Sequence, residues 1–235
     1  MSLLALEHVG RRSGDGAQSR IALRDVSFEL EPGQLVAVWG RRRSGRSTLL
    51  RVAAGIERPD TGSVRLKGQD IYQLATRGLE DIAYCRTSFR PSEGRLILDQ
   101  MLLGQLSRGV EPATARERTS EALRRVGAER LIALRPGDLD PAERVRVAIA
   151  RALVRGPQVL VIDEPTLGID LLARDGILAL LRSIADAGIA VLTSTADAAG
   201  LENADRALAL SDGELNGSAV PDTAEVVPLR RASGQ

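Results

Sequence analysis

The stretch Leu35-Val-Ala-Val-Trp39-Gly40-Arg41-Arg42-Arg43-Ser44-Gly45-Arg46-Ser47-Thr48 decides how the rest of the chain is read. A continuous apolar run, Leu35 to Trp39, set between Gly33 and Gly40, predicts a strand buried on both faces. Gly40 to Thr48 has the spacing G-x-x-x-x-G-K-[ST], with Arg46 in the lysine position. Ser47 to Ile56 follows with helical character. A strand, a Gly-rich turn and a helix allow successive backbone N–H groups and the helix N-terminus to surround a polyphosphate. Gly40, Arg41, Arg42, Arg43, Ser44, Gly45, Arg46, Ser47 and Thr48 are therefore the candidate nucleotide-binding residues, with the Ser47 hydroxyl placed for Mg²⁺ and Thr48 supporting the loop. The competing reading, a basic turn without a ligand, leaves the strand before it and the helix after it unexplained.

A second half of the same site lies far along the chain. Val159-Leu-Val-Ile162 is another buried strand, and it ends in Asp163-Glu164-Pro165. A carboxylate at that strand end, Asp163, is a candidate Mg²⁺ ligand, and Glu164 beside it is the candidate catalytic residue that orients water. Acids also cap strand ends without any catalytic role, and the sequence leaves that option open.

Outward from these two strands, Leu3 to Val9 and Ile21 to Leu30 alternate as antiparallel strands do, with Glu31-Pro32-Gly33 as a turn. Ser63 to Leu66 and Ile82 to Cys85 read as short strands, and Ser92 to Gly137 as mostly helical, most clearly over Ala113 to Val126. Val145, Ala148, Ile149, Ala152 and Leu153 share one helix face that Gly156-Pro157 terminates. A helix over Leu171 to Ala187 then gives way to strands at Ile189 to Thr193 and Ala207 to Leu210. Strands alternating with helices imply a parallel α/β sheet with right-handed crossovers. After Asn216 periodicity stops, which predicts a loose tail.

Composition narrows the chemistry. The 235 residues, 43% apolar and 27% charged, suffice for one sizeable core. With 32 basic against 31 acidic residues the net charge is +1, so no bulk field draws the chain to nucleic acid. His8 is the only histidine and Cys85 the only cysteine, which excludes internal disulfides and leaves almost nothing for histidine catalysis or zinc. No apolar run approaches the roughly 20 residues that span a bilayer, and the chain reads as cytoplasmic. Lys67 is the only lysine, so an arginine at position 46 is partly a matter of composition.

From about Leu3 to Glu214 the chain resembles the ATP-binding subunit of ABC transporters. The resemblance rests on the two segments above and on Ile21-Ala-Leu-Arg-Asp-Val-Ser-Phe-Glu-Leu, Arg146-Val-Ala-Ile-Ala-Arg-Ala-Leu and Leu167-Gly-Ile-Asp170. The compact length and Thr87-Ser88-Phe89 are similar to the branch whose permeases extract lipoproteins or export macrolides. The resemblance implies an α/β fold: a P-loop NTPase core with a parallel sheet (about 35–61, 81–91 and 150–215), an N-terminal antiparallel β subdomain (about 1–34 and 62–80), an inserted helical subdomain (about 92–149) and a tail (216–235). It also implies ATP and Mg²⁺ as cofactors, and a membrane permease and a second ATP-binding subunit as partners. The place it implies is peripheral, on the inner face of the cell membrane.

Several family positions depart from the pattern. Where the family has L-S-G-G-Q, donating hydroxyl and N–H groups to the nucleotide of a facing subunit, this chain has Leu139-Asp140-Pro141-Ala142-Glu143. That segment has the form of a capping box: Asp140 at N-cap accepts from the N–H of Glu143, and Pro141 suits the first helical position while lacking a donor. The family's Mg²⁺-sensing glutamine aligns with Thr87 and its switch histidine with Ala196, and Asp170 is grouped with these altered positions. Where an adenine-stacking aromatic is expected, Gly10-Arg11-Arg12-Ser13 offers only guanidinium groups: Arg12 either stacks on the base or is solvated. Arg41 to Arg43 either point to solvent or form a docking surface for an acidic partner. Together these departures predict a degenerate subunit with weak or no hydrolysis of its own. The alternatives are an active homodimeric transport ATPase and a non-transport ATP-binding scaffold.

Overall fold

Alternate residues of the central strands point into two different cores. The computed structural model describes residues 2–14, 20–73, 78–85 and 95–219. Strand β1 (Leu4–Ser13) pairs antiparallel with β2 (Arg20–Leu30), and β3 (Leu35–Trp39) leads into helix α1 (Arg46–Ala53). The chain continues through β4 (Thr61–Leu66), β5 (Gln69–Asp70) and β6 (Ile82–Cys85) to helices α2 (Ile97–Leu106), α3 (Pro112–Arg125) and α4 (Pro141–Leu153). It ends with β7 (Val159–Ile162), α5 (Leu171–Asp186), β8 (Ala190–Thr195), β9 (Arg206–Ser211) and β10 (Glu214–Ala219).

Two sheets result, one in the order β2-β1-β4-β5 and the other β10-β9-β3-β8-β7-β6. In the second sheet β3 lies between β8 and β9, parallel to both, and β7 lies between β6 and β8, again parallel. Leu35 on β3, Leu160 and Ile162 on β7 and Val191 on β8 pack into a core with α2 to α5. Val36, Val38, Val159, Val161 and Leu192 pack into the other, with α1 and the antiparallel sheet. This period-2 division of wholly apolar strands is why they read as continuous runs: both faces are covered. The mixed α/β architecture, antiparallel at the N-terminus and parallel at the centre with helices around it, is the one the sequence implied.

One expectation is corrected. Pairing continues past Asn216, because β10 pairs with β9 from Glu214 opposite Ser211 to Ala219 opposite Ala207, across a register shift between Leu215 and Ser218. An edge strand needs a partner's backbone more than an alternating sequence, and β9 supplies it. Thr87, Ser88 and Phe89 lie outside the described residues.

Candidate phosphate-binding site

Backbone geometry builds the loop before any side chain contributes. Gly40 packs so closely that an added Cβ would stand 2.3 Å from the Leu210 carbonyl oxygen. Gly45, the N-cap of α1, has φ 109°, and a Cβ there would stand 2.2 Å from the Ala22 carbonyl oxygen. Only glycine tolerates both the left-handed backbone and the contact. The loop between is pinned by Ser44 N–H donating to Arg41 O (3.1 Å) and by Gly213 N–H donating to Ser44 O (3.0 Å). Helix α1 then begins with no side-chain cap and no acid in its first turn, so its N-terminal donors stay open.

The cavity over this loop, about 640 Å³, is lined by Arg42, Arg43, Ser44, Gly45, Arg46, Ser47 and Thr48, and Glu164 reaches it from the far strand end. Ser13, Arg20 and Arg51 complete the lining. Ser13 ends the Gly10–Ser13 segment where a base-stacking residue was expected, whereas Arg20 carries no motif and nothing in sequence marks it. Gly40 and Arg41 lie outside this lining, as does Arg12. Arg41, Arg42 and Arg43 are exposed, the solvent-facing arrangement the sequence allowed.

The Arg46 side chain is only 6% exposed, and its Nη2 donates to Glu164 Oε1 at 2.6 Å. Its Nη1 is buried and has no hydrogen-bond partner, as is the Ser44 hydroxyl. A buried donor left unpaired is costly, and two of them in one loop mark a place where an anion completes the hydrogen bonding. Basic groups dominate: Glu164 is the single acid among the lining residues. ATP phosphates therefore fit the residues present, and Ser47 and Asp163 offer the hard oxygen atoms that suit Mg²⁺.

The two acids are held by a residue that sequence reasoning missed. Ser194 Oγ donates to Asp163 Oδ1 at 2.5 Å and accepts from the Glu164 N–H at 3.1 Å. Glu164 itself has φ 45°, a conformation rare for a residue with a side chain and kept here by these contacts. The available signal was Thr193-Ser194-Thr195, three hydroxyls in succession on an otherwise buried apolar strand.

The remaining sequence candidates stand apart from the cavity. Asp140 accepts from Glu143 N–H at 2.7 Å and the Glu143 carboxylate accepts from Asp140 N–H at 3.1 Å, so α4 closes its own N-terminus. Pro141 opens that helix, Leu139 is buried, Ala142 is half-buried, and Glu143 also pairs with Arg130 at 2.7 Å. Asp170 caps α5 by accepting from Ala173 N–H at 3.0 Å. Ala196 is exposed, next to Asp197, which pairs with Arg174 at 2.9 Å.

Comparison with known proteins agrees with this geometry. The chain is 38% identical over 227 residues to the lipoprotein-releasing system ATP-binding protein LolD of Maricaulis maris, covering 91% of this chain and 96% of that one. It is 29% identical to the macrolide export ATP-binding/permease protein MacB of Hahella chejuensis over 95% of this chain, which is 35% of that longer protein. A dimeric ATP-binding cassette solved in a post-hydrolysis state with ADP and Pi superposes with a TM-score of 0.81 at 25% identity, over 92% of this chain and 98% of its own. The family described as ABC transporter matches residues 23–167, and with the open phosphate loop and the two acids at the end of β7, the chain belongs to that family.

Proposed function

We propose that the chain is the ATP-binding subunit of a transporter, docked on the inner face of the membrane against a permease, with weak hydrolysis of its own. The observation that carries this reading is the Arg46–Glu164 pair at 2.6 Å. A guanidinium in the lysine position is longer and forked, and reaches the carboxylate that would otherwise orient water. A carboxylate engaged in a charge-assisted hydrogen bond is a poorer acceptor for a second proton donor. The closed N-terminus of α4 supports the same conclusion, because Asp140 and Glu143 occupy the donors with which the family's signature would meet a facing nucleotide. Such a subunit works beside a second, more complete ATP-binding subunit. Similarity to LolD and MacB supports a permease partner of the lipoprotein-releasing or macrolide-exporting kind.

Turnover by the purified full chain is the test. Mg-ATP hydrolysis well below the usual enzyme median of about 10 s⁻¹, together with measurable nucleotide binding, agrees with the proposal. A rate near that median without any partner establishes instead the competing reading, a competent homodimeric ATPase in which Arg46 and Thr87 are tolerated.

A further inference from the structure

Behind the phosphate loop lies a second cavity, of about 450 Å³, whose wall the loop itself forms. It is lined by Arg20 and Arg24 from β2, by Arg41 to Arg43 from the loop, and by Ser44. The turn between β9 and β10 adds Ser211 and one carboxylate, Asp212, while Ile21 is the only apolar residue in the lining. Arg20, Arg42, Arg43 and Ser44 line both cavities, so the two share a rim at the loop that faces the phosphates.

Positive charge is in excess in this second cavity, where five arginines face the single carboxylate of Asp212. Arg24 approaches Glu214 at 4.0 Å. Arg20, Arg41, Arg42 and Arg43 have no ion pair among the described residues. Ser44, 6% exposed and part of the lining of both cavities, has a buried hydroxyl with no hydrogen-bond partner. No aromatic ring is present to stack a base, and there is too little apolar surface to seat a peptide side chain or an acyl chain. What remains is recognition by charge and forked hydrogen bonds, which is how arginine binds phosphate.

We propose that this cavity is a second phosphate subsite, which takes the outer groups of a phosphate chain longer than three. An extended nucleotide, seated in the cradle and crossing the shared rim, and free inorganic polyphosphate present the same chemistry. For the extended nucleotide the assignment rests on the cradle binding nucleotide as proposed above.

Isothermal titration of the full chain with ATP, adenosine tetraphosphate and inorganic tetrapolyphosphate separates these sources, with Arg24→Gln as the variant, since Arg24 lines the second cavity alone. Arg24 is exposed, so the substitution leaves the fold intact. Adenosine tetraphosphate should bind about tenfold more tightly than ATP, the effect of one added charge-assisted hydrogen bond. Arg24→Gln should cut that advantage by about threefold or more and leave ATP affinity unchanged. If free polyphosphate is the occupant, inorganic tetrapolyphosphate binds the chain already saturated with ATP, and Arg24→Gln weakens it. If ATP fails to bind while inorganic tetrapolyphosphate still binds in an Arg24-dependent manner, the nucleotide reading falls and the subsite stands. Equal affinity for ATP and adenosine tetraphosphate with no polyphosphate binding overturns the subsite. A preference that Arg24→Gln leaves whole overturns it equally, by showing diffuse charge rather than a site.

Discussion

Helices α1 and α4 both follow a loop and both present the positive end of a helix, yet only one of them is open to an anion. At α1 the cap is Gly45, with no side chain to spend on the first turn, and Arg46 opens the helix. At α4 the cap is Asp140, Pro141 removes one donor, and Glu143 reaches back to the Asp140 N–H. The chain's other helices show that the closed form is the ordinary one here. Glu111 caps α3, Asp170 caps α5, and α2 carries Asp99 in its first turn. Among the described helices, α1 alone has neither a side-chain cap nor an acid in its first turn. A helix dipole is a binding site only where the sequence declines to neutralise it.

The largest effect is expected from closing the open end. Gly45→Ala forces a Cβ toward the Ala22 carbonyl oxygen and a side chain into φ 109°. The strained backbone alone costs about 1–3 kcal/mol, before the clash is counted. A denaturant melt should show at least that loss, and nucleotide titration should show binding abolished. Retained binding with native stability would mean that the loop's shape is not what makes the cradle.

Opening the closed end is the converse experiment. Asp140→Ala removes the N-cap acceptor of α4 and should destabilise the chain by roughly 0.5–2 kcal/mol, the usual loss at such a position. Nucleotide affinity should not fall, because Asp140 lies outside the cradle lining. Melts and titrations of both proteins, with any co-purifying ATPase subunit present, check the two halves. Unchanged stability with lost nucleotide-dependent pairing would make this segment a working signature.

A smaller change is expected at Arg46. Arg46→Lys shortens the side chain that reaches Glu164, but α4 stays capped and Ala196 stays in the histidine position. Groups that act as a catalytic unit respond non-additively, so repairing one leaves the others limiting. ATP turnover should rise by less than about tenfold, or roughly 1.4 kcal/mol in barrier. A full recovery in this single variant would show the other departures to be neutral.

How much of this was legible depended on how local the physics was. Strands Ile82–Cys85 and Val159–Ile162 fall where their apolar runs place them, because both faces are buried and nothing polar interrupts the pattern. The capping box at Asp140 is a matter of four successive residues and reads directly. The Arg46–Glu164 pair joins positions 118 residues apart and depends on β7 lying beside β8, one strand from β3. Strand order is set by packing, and no spacing in the sequence states it. Strand β10 was missed for the opposite reason, since an edge strand of Asn, Gly and Ser takes its shape from its partner and not from its own side chains.

The smallest effect concerns one more carboxylate on a backbone N–H group, this time at the strand that feeds the open helix. Asp205 accepts from the Leu35 N–H at 2.7 Å, where β3 begins, and from Arg182 Nη1 at 2.8 Å. Partial burial pushes its carboxyl up, but the Arg182 hydrogen bond and charge and the Leu35 N–H outweigh that, and the acid is held below its ordinary value. A depressed folded value means that the stabilisation is fully present above the unfolded value of about 3.9 and is lost as pH falls through the folded one. Because the Asp205 side chain is 45% exposed, solvent screening keeps the contribution small, about 1 kcal/mol or less. Asp205→Asn should therefore lower stability slightly at pH 7. The gap between wild type and variant should narrow as the pH is taken below about 4, which melts at a series of pH values would read. If the gap widens on acidification, or is constant across the series, the carboxylate is not ionised in its hydrogen bonds to Leu35 and Arg182, and the start of β3 is held by packing alone.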